Sequence, residues 1–444
     1  MKKCLLSALS VALCLALTGC FGMNKISDTL SPPKPSGELY KIQQTLEASV
    51  GHDVDLVYPS SGQYRSAIIT RDIDSDGKYE VFSFYSTETD DKTTVMHINY
   101  IRWRDDKWVS VTDLQLDSSS VESVDFVRLD SSDIPKIVVS WERYSTTDKL
   151  LSVYSIDSGE LVENTRTEYS VYSASDFDEN GILEIVALSL DTEEKSAKAT
   201  LLALGEKGFT EKSTCALDGS VTAYYKPTLS KLTNGKQALF IDADKGTGMI
   251  TEVLYLEDGV LKNAFTYNSL NENVNTLRAS AVRSGDYDRD GCVDIPLAHR
   301  LPLASTELNE DSAYMTIWNS FDGKTLTPIA HSIINYTDGY YFEMPENWLG
   351  NIAVERRLDS RQRVFYRWDS TLQELGEEVL RIEAVKLSTW ESNHDRYAGY
   401  FELARSSKDV FAVSFSNSAL TPQADDFKEV FNVIKTEIDS NKIR

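Results

Sequence analysis

Three nine-residue stretches carry acidic side chains at alternate positions followed by a glycine, a pattern typical of cation-binding loops. They begin at Asp72, Asp176 and Asp286 and read Asp-Ile-Asp-Ser-Asp-Gly-Lys-Tyr-Glu, Asp-Phe-Asp-Glu-Asn-Gly-Ile-Leu-Glu and Asp-Tyr-Asp-Arg-Asp-Gly-Cys-Val-Asp. Side chains at positions 1, 3 and 5 of a tight loop project toward one centre, and glycine at position 6 permits the bend. Position 7 offers its carbonyl and position 9 a further acid. Hard oxygen donors in this number suit calcium better than zinc or copper.

Each loop supplies four side chains and one carbonyl as predicted calcium ligands. The sets are Asp72, Asp74, Asp76 and Glu80 with the carbonyl of Lys78; Asp176, Asp178, Asn180 and Glu184 with the carbonyl of Ile182; and Asp286, Asp288, Asp290 and Asp294 with the carbonyl of Cys292. We expect the calcium to be structural. The alternative is that the aspartates and glycine form plain Asx-type turns without a metal.

These loops are not EF-hands, although the acids resemble that pattern. An EF-hand needs a bidentate glutamate at position 12 and a helix on each side. Position 12 is Ser83, Ala187 or Leu297, and the flanking apolar runs predict strands. The sequence therefore predicts a calcium-type loop inside a β-sheet.

The loops recur with a regular spacing. Degenerate copies at 128–136, with Asp130 and Asp133, and at 230–238, with Asn234-Gly235, bring the count to five, and the starts lie 48 to 56 residues apart. A polar turn follows each loop by about thirty residues, which leaves room for two strands before a closing hairpin. One loop, three or four strands and one hairpin per repeat is typical of a propeller blade.

With these motifs, residues 54–336 resemble the FG-GAP and VCBS repeats of integrin-α-type β-propellers. The resemblance implies a mainly β fold, calcium bound in a blade hairpin and a propeller that serves as a rigid display surface. Five blades are recognisable. Members of the family often have seven, so further blades can lie in the C-terminal strands.

The N-terminus predicts export and anchoring. Lys2 and Lys3 precede an apolar run over residues 5–17 that is too short for a membrane span and fits a signal peptide, residues 1–19. The following Leu17-Thr18-Gly19-Cys20 resembles the lipobox of bacterial lipoproteins, which implies lipid attachment at Cys20 and a cell-membrane location facing outside the cytoplasm. The alternative is an ordinary cleaved signal peptide. Residues 20–37 are polar and proline-rich and predict a tether, and residues 38–53 predict a short helix that Ser36 can cap.

The repeat pattern stops after residue 334. Strand-like runs then lead to Thr421-Pro422, which predicts the start of a helix. The apolar face of this helix would contain Phe427, Val430, Phe431, Ile434 and Ile438. We therefore expect a small α+β domain over residues 337–444, or strands that complete the propeller.

Composition bounds the function without identifying it. The net charge of −24 argues against nucleic acid or an anionic lipid surface as a partner. The chain contains no His-Glu-x-x-His pair, no Gly-x-Ser-x-Gly elbow and no paired-cysteine pattern. Because the patterned acids belong to the loops, we expect a non-enzymatic, cell-surface lipoprotein that binds an envelope protein or glycan. An exported propeller enzyme acting on polysaccharide, a hydrolase or lyase, is the alternative.

Overall fold

The computed structural model describes residues 37–51, 54–88, 93–143, 149–205, 208–302, 314–357 and 360–434. The signal peptide, Cys20, most of the tether and Ser36 lie outside these residues. More than half of the described residues are in strands, which confirms a mainly β fold. The described residues form two compact units: residues up to Tyr58 with Ser66–Asp117, and Pro59–Arg65 with everything from Ser118 onward.

The first unit begins with the predicted helix, α1 (Glu38–Val50). Its apolar residues recur at helical spacing, so Ile42 and Leu46 fall on one face and are buried. Gly51 ends the helix in a left-handed conformation at φ 89° and donates its N–H to the carbonyl of Glu47. The predicted segment 38–53 thus contains a helix that ends at Val50.

The helix packs on the five-stranded antiparallel sheet of the same unit, in a core that includes Val81, Tyr85 and Ile101. The sheet order is β1-β3-β4-β5, and β2 also pairs with β3. The strands are β1 (Asp55–Leu56), β2 (Ile68–Arg71), β3 (Glu80–Glu88), β4 (Thr94–Arg104) and β5 (Lys107–Leu116).

Three antiparallel sheets follow in the second unit, each assembled from consecutive strands. The first contains β6 (Ser120–Val127), β7 (Lys136–Glu142), β8 (Lys149–Asp157) and β9 (Glu160–Tyr169), and the second contains β10 (Val171–Ser175), β11 (Glu184–Asp191), β12 (Ser196–Gly205) and β13 (Gly208–Leu217). The third contains β14 (Ala223–Tyr224), β15 (Thr228–Lys231), β16 (Gln237–Lys245), β17 (Gly248–Glu257) and β18 (Val260–Asn263). Inner strands such as β7 are buried on both faces, whereas outer β9 alternates between covered and exposed side chains.

The last two sheets have five strands each and include the C-terminal part of the chain. One is β19 (Ile295–Arg300), β20 (Tyr314–Phe321), β21 (Leu326–Asn335), β22 (Tyr340–Glu343) and β28 (Phe431–Val433); the other is β23 (Ile352–Arg357), β24 (Gln362–Asp369), β25 (Glu374–Lys386), β27 (Asp409–Phe415) and β26 (Phe401–Arg405). A 3-10 helix (Glu346–Trp348) and two short α-helices, α2 (Leu387–Ser392) and α3 (Ala424–Val430), connect the strands. Trp348, Phe365 and Phe427 are buried in the core that both sheets share.

The predicted repeat has a direct structural counterpart. The loop at 72–80 joins β2 to β3, the loop at 176–184 joins β10 to β11, and the degenerate loop at 128–136 joins β6 to β7. The predicted polar turns close the hairpins β4–β5, β8–β9, β12–β13, β17–β18 and β20–β21. The four sheets built from β1–β18 therefore have the consecutive strand order expected from the sequence, whereas the last two sheets also include strands from the C-terminal part of the chain. A closed propeller is not seen in the part of the chain that the structure describes.

The C-terminal segment differs from its prediction in one element. The predicted helix ends at Val430, and Phe431–Val433 forms β28, which pairs with β22. The apolar residues Phe427, Val430 and Phe431 fit helical spacing, but a backbone partner far along the chain takes the end of the run into a sheet; Ile438 lies outside the described residues. The proposed boundary at residue 337 lies inside the β21–β22 hairpin.

Candidate metal centres

The three acid-rich loops share one backbone geometry. Positions 4 and 6 of each loop have a positive φ, and position 6 is always the glycine. The pairs are Ser75 (60°) and Gly77 (84°), Glu179 (61°) and Gly181 (85°), and Arg289 (65°) and Gly291 (89°). Glycine adopts this conformation without the steric cost that a β-carbon brings, so its place in the motif has a conformational cause.

Four hydrogen bonds from backbone N–H groups to side chains recur in every loop, and two of them fix where the first and last acids point. The position 6 N–H donates to the position 1 carboxylate, at 3.1, 2.8 and 3.1 Å in the loops that begin at residues 72, 176 and 286. The position 2 N–H donates to the position 9 carboxylate, at 3.0, 2.8 and 2.9 Å in the same order. These hydrogen bonds hold the carboxylates at positions 1 and 9 against the backbone of each loop.

This geometry gathers three acids of each loop into a group that could hold a metal ion, with one oxygen from each residue within 4.8 Å of the others. The groups are Asp72, Asp74 and Glu80; Asp176, Asp178 and Glu184; and Asp286, Asp288 and Asp290. The predicted ligands Asp76 and Asp294 fall outside these groups of acids. The side-chain oxygens of Asp76, Asn180 and Asp294 accept backbone N–H bonds within the same loops. The carbonyl ligands at Lys78, Ile182 and Cys292 stay predictions.

The acids at position 9 are buried and destabilised as anions. Burial raises the pKa of Glu80 and of Glu184, and the neighbouring aspartates of each loop raise it further. Burial, followed by Asp288 and the other aspartates of its loop, raises the pKa of Asp294 to about 7. Such clusters need protons or a cation to offset the repulsion among carboxylates.

Two first-position acids carry a buried atom without a partner. Asp72 Oδ1 and Asp286 Oδ1 accept no hydrogen bond among the described residues and are shielded from solvent. A buried carboxylate oxygen left unpaired costs the desolvation energy of that group. Both atoms therefore fit the inner position of a bound cation.

In the degenerate loop at 128–136, a lysine of the loop itself offsets the charge of the largely buried aspartate. The Lys136 ammonium lies 2.5 Å from Asp130 Oδ2, and both side chains are largely buried. Burial acts to raise the pKa of Asp130, but the hydrogen bonds from Lys136 and Ser132 hold it below its usual value. This loop carries its own positive charge.

The second degenerate loop, at 230–238, keeps only the turn. Gly235 has a φ of 85°, and the Lys236 N–H donates to Asn234 Oδ1 at 3.0 Å. The Asn234 amide donates to the carbonyl of Asp322 at 2.6 Å. With its acids missing, this loop offers a hydrogen-bonded turn rather than a metal site.

A second group of polar residues, missed from the sequence, converges in the second unit. The Lys149 ammonium lies 2.6 Å from Glu122 Oε1, and the Tyr169 hydroxyl donates to Glu122 Oε2. Tyr172 donates to Asp125 Oδ2 at 3.0 Å, and its ring meets Tyr169 edge to face with centroids 5.5 Å apart. We call these five residues the Glu122 cluster. The only sequence signal is two acids inside β6, because strands are depleted in acidic residues.

The Glu122 cluster lines two adjoining cavities, of about 510 and 900 Å³, that share Lys149 and Tyr169. Burial, followed by Asp125, raises the pKa of Tyr172 to about 12, and burial followed by Glu122 raises that of Tyr169 as well. Both phenols therefore hold their protons at neutral pH and act as hydrogen-bond donors.

The remaining sequence predictions concern cysteines and the membrane. Cys215 and Cys292, the two cysteines among the described residues, are both free thiols. Burial and the neighbouring Asp290 raise the pKa of the Cys292 thiol, so its sulfur stays protonated. Among the helices that the structure describes, none has the length and apolar character to cross a membrane.

Comparison with known proteins gives no family. No family model and no curated protein matches the chain. Solved structures with some likeness include a rhamnogalacturonan lyase from Bacillus licheniformis, with 9% identity over 83% of this chain and 92% of that chain and a TM-score of 0.30. An exo-β-1,3-galactanase from Clostridium thermocellum shows 9% identity over 86% and 99%, TM-score 0.25, and a periplasmic gluconolactonase from Pseudomonas aeruginosa shows 12% over 72% and 85%, TM-score 0.22. Identities and TM-scores this low support no transfer of activity.

Proposed function

We propose that this chain is an exported, lipid-anchored binding module whose β-sheet repeats are stabilised by calcium and display a surface to an envelope protein or glycan. The observation that carries the proposal is the threefold recurrence of the acid-rich loop directly before a strand, at β3, β11 and β19. The acids of these loops then serve to stabilise a scaffold and not to catalyse a reaction. The recurrence supports blades of the FG-GAP/VCBS type, and the Leu17-Thr18-Gly19-Cys20 motif supports Cys20 as the lipid attachment site.

Calcium is the proposed ion because the gathered side-chain donors are all carboxylate oxygens. The unpaired oxygens of Asp72 and Asp286 supply the positions at which an ion would lie. A bound ion would hold together the strands β2 and β3, and β10 and β11, that flank the first two loops, and would fix the third loop ahead of β19. No step of any reaction is assigned to it.

A polysaccharide-acting hydrolase or lyase is the second candidate, and the Glu122 cluster favours it. Carboxylates and phenols converging in a cleft are what such an enzyme requires. Against it, both oxygens of Glu122 already accept hydrogen bonds, from Lys149 and Tyr169. The raised pKa of Tyr172 makes it a weak acid that does not readily yield a base at neutral pH. The geometry therefore supports binding better than catalysis.

One experiment separates the two candidates. The protein, immobilised through its C-terminus, is exposed to solubilised envelope proteins and to purified envelope polysaccharide, with calcium or with a chelator. Calcium-dependent retention of one component without new reducing ends or unsaturated sugar products supports a binding module. Product formation supports the enzyme, and no retention under either condition refutes the binding function.

A further inference from the structure

The two cavities beside the Glu122 cluster form one groove between the sheet β6–β9 and the sheet β10–β13. Each cavity lies in the range of about 300–1,000 Å³ that is typical of small-molecule sites. Glu122 and Asp125 come from β6, Lys149 from the start of β8, and Tyr169 and Tyr172 from the strands that meet at the groove. Rigid strands, rather than a loop, hold all of these side chains.

The groove offers both hydrogen-bond donors and acceptors that are available to a ligand. Asp125 Oδ1 has no hydrogen-bond partner among the described residues, since Tyr172 uses the other oxygen. Lys226 lines the smaller cavity, is exposed, and has no ion-pair partner in the described part of the chain. Lys149 uses one ammonium proton on Glu122 and has three to donate. The partly exposed ring of Tyr172 adds an aromatic face.

These groups match a ligand rich in hydroxyls. A hydroxyl donates one hydrogen bond and accepts two, so it can satisfy a carboxylate oxygen and an ammonium group at once. An aromatic ring beside such groups packs against the apolar face of a sugar while the polar groups bind its edge.

The charge of the groove selects against an anionic ligand. Four basic and five acidic side chains line the two cavities, so their charges nearly cancel. The whole chain carries a net charge of −24, which repels anions approaching from solution. An anionic ligand would therefore gain no net attraction inside the groove and would be repelled on its approach. A neutral ligand is not subject to this repulsion.

We infer that this groove binds a neutral, hydroxyl-rich saccharide through Asp125, Lys149, Lys226 and Tyr172. The inference rests on the proposed binding function and names its ligand class and site. The part of the groove around Asp125 and Tyr172 orients the sugar, and Lys226 at the opening contributes a further donor.

The test uses isothermal titration of the full exported chain, in millimolar calcium, with cellohexaose, xylohexaose, maltohexaose, mannohexaose and galactohexaose. Hexagalacturonate is the anionic comparison. The Lys226→Ala and Asp125→Asn variants, and a combined groove variant that carries both changes, probe the groove. Lys226 is exposed, so its substitution leaves the core intact. Matched controls are Lys212→Ala and Asp258→Asn, which make the same chemical changes at exposed positions outside the groove. Unfolding temperatures confirm that all five variants are folded.

The expected result is binding of at least one neutral hexasaccharide that weakens about tenfold in the combined groove variant, about 1.4 kcal/mol, and stays unchanged in both controls. Unaltered binding in the groove variants overturns the site, and a preference for hexagalacturonate or no binding by any probe overturns the ligand class. If an envelope protein is retained equally by wild type and groove variants, this inference fails while the proposed binding function stands.

Discussion

Replacing Asp294 by Asn should stabilise the calcium-free protein, although it removes a predicted calcium ligand. Asp294 is 1% exposed, and its pKa rises from 3.8 to about 7 through burial and the nearby aspartates of its loop. The amide keeps an oxygen that can accept the N–H of Tyr287, as Asp294 Oδ2 does at 2.9 Å. The substitution therefore removes the charge and preserves the main contact.

The magnitude follows from proton linkage. An acid with a higher pKa in the folded state binds its proton more tightly there, so the calcium-free fold loses stability as the pH rises from about 4 to about 7. Each pH unit in that window costs about 1.4 kcal/mol, so the full cost at pH 8 is at most about 4 kcal/mol. At pH 5 the folded-state carboxyl is protonated and the cost falls to about 2 kcal/mol.

The assay is urea unfolding in a chelator at pH 8 and pH 5, repeated at pH 8 with millimolar calcium. Asp294→Asn should be more stable than wild type at pH 8 in the chelator, by less at pH 5, and should gain less from calcium. Asp258→Asn, at an exposed hairpin position with a φ of 53°, is the matched control without an acid cluster. The reasoning is refuted if Asp294→Asn is no more stable than wild type in the chelator at pH 8, or if its advantage does not shrink at pH 5.

Three further outcomes are expected. Calcium at several times its dissociation constant should stabilise wild type by about 1–2 kcal/mol per site. The Asp74→Ala, Asp288→Ala double variant should lose most of this gain in stability, whereas Asp130→Ala should keep it. Equal shifts of the melting temperature with calcium in all three proteins would identify the loops as plain turns. Cys20→Ala should move the protein from the membrane fraction to the soluble exported fraction, and a variant that stays membrane-bound would refute lipid anchoring. Limited proteolysis should not cut at residues 335–340, because this hairpin turn joins two strands of one sheet; separate stable fragments would restore the proposed domain boundary.

Much of the local architecture was predictable because its causes are local. Turn residues with a positive φ, such as Gly77 and Asp258, mark loops and hairpins directly in the sequence. Regular spacing then orders these turns into sheets. The end of the predicted C-terminal helix was wrong because the backbone partner of Phe431 is Phe342, far away in the sequence. No local pattern carries that information.

The groove beside the Glu122 cluster could not be predicted for the same reason. Lys149 reaches Glu122 across 27 positions, and Tyr172 reaches Asp125 across 47. The two acids within β6 were the only signal in the sequence, and they do not reveal which side chains of other strands contact them. The acid-rich loops concentrate their carboxylates in nine residues, whereas the groove between sheets takes its polar side chains from several strands.

The loop at 128–136 shows what the three acid-rich loops require. It lies between the first and second strands of its sheet, and in place of most of the acids it has Lys136 against Asp130. The carboxylate of Asp130 is thus offset by a cation from within the loop. The other three loops retain the turn and the buried acid at position 9 but supply no such lysine to Asp72 or Asp286, whose inner oxygens have no hydrogen-bond partner among the described residues. Turn formation alone would not require those acids, because Asn234-Gly235 makes the turn without them. Their retention is best explained by a cation from solution that takes the role Lys136 has in its own loop.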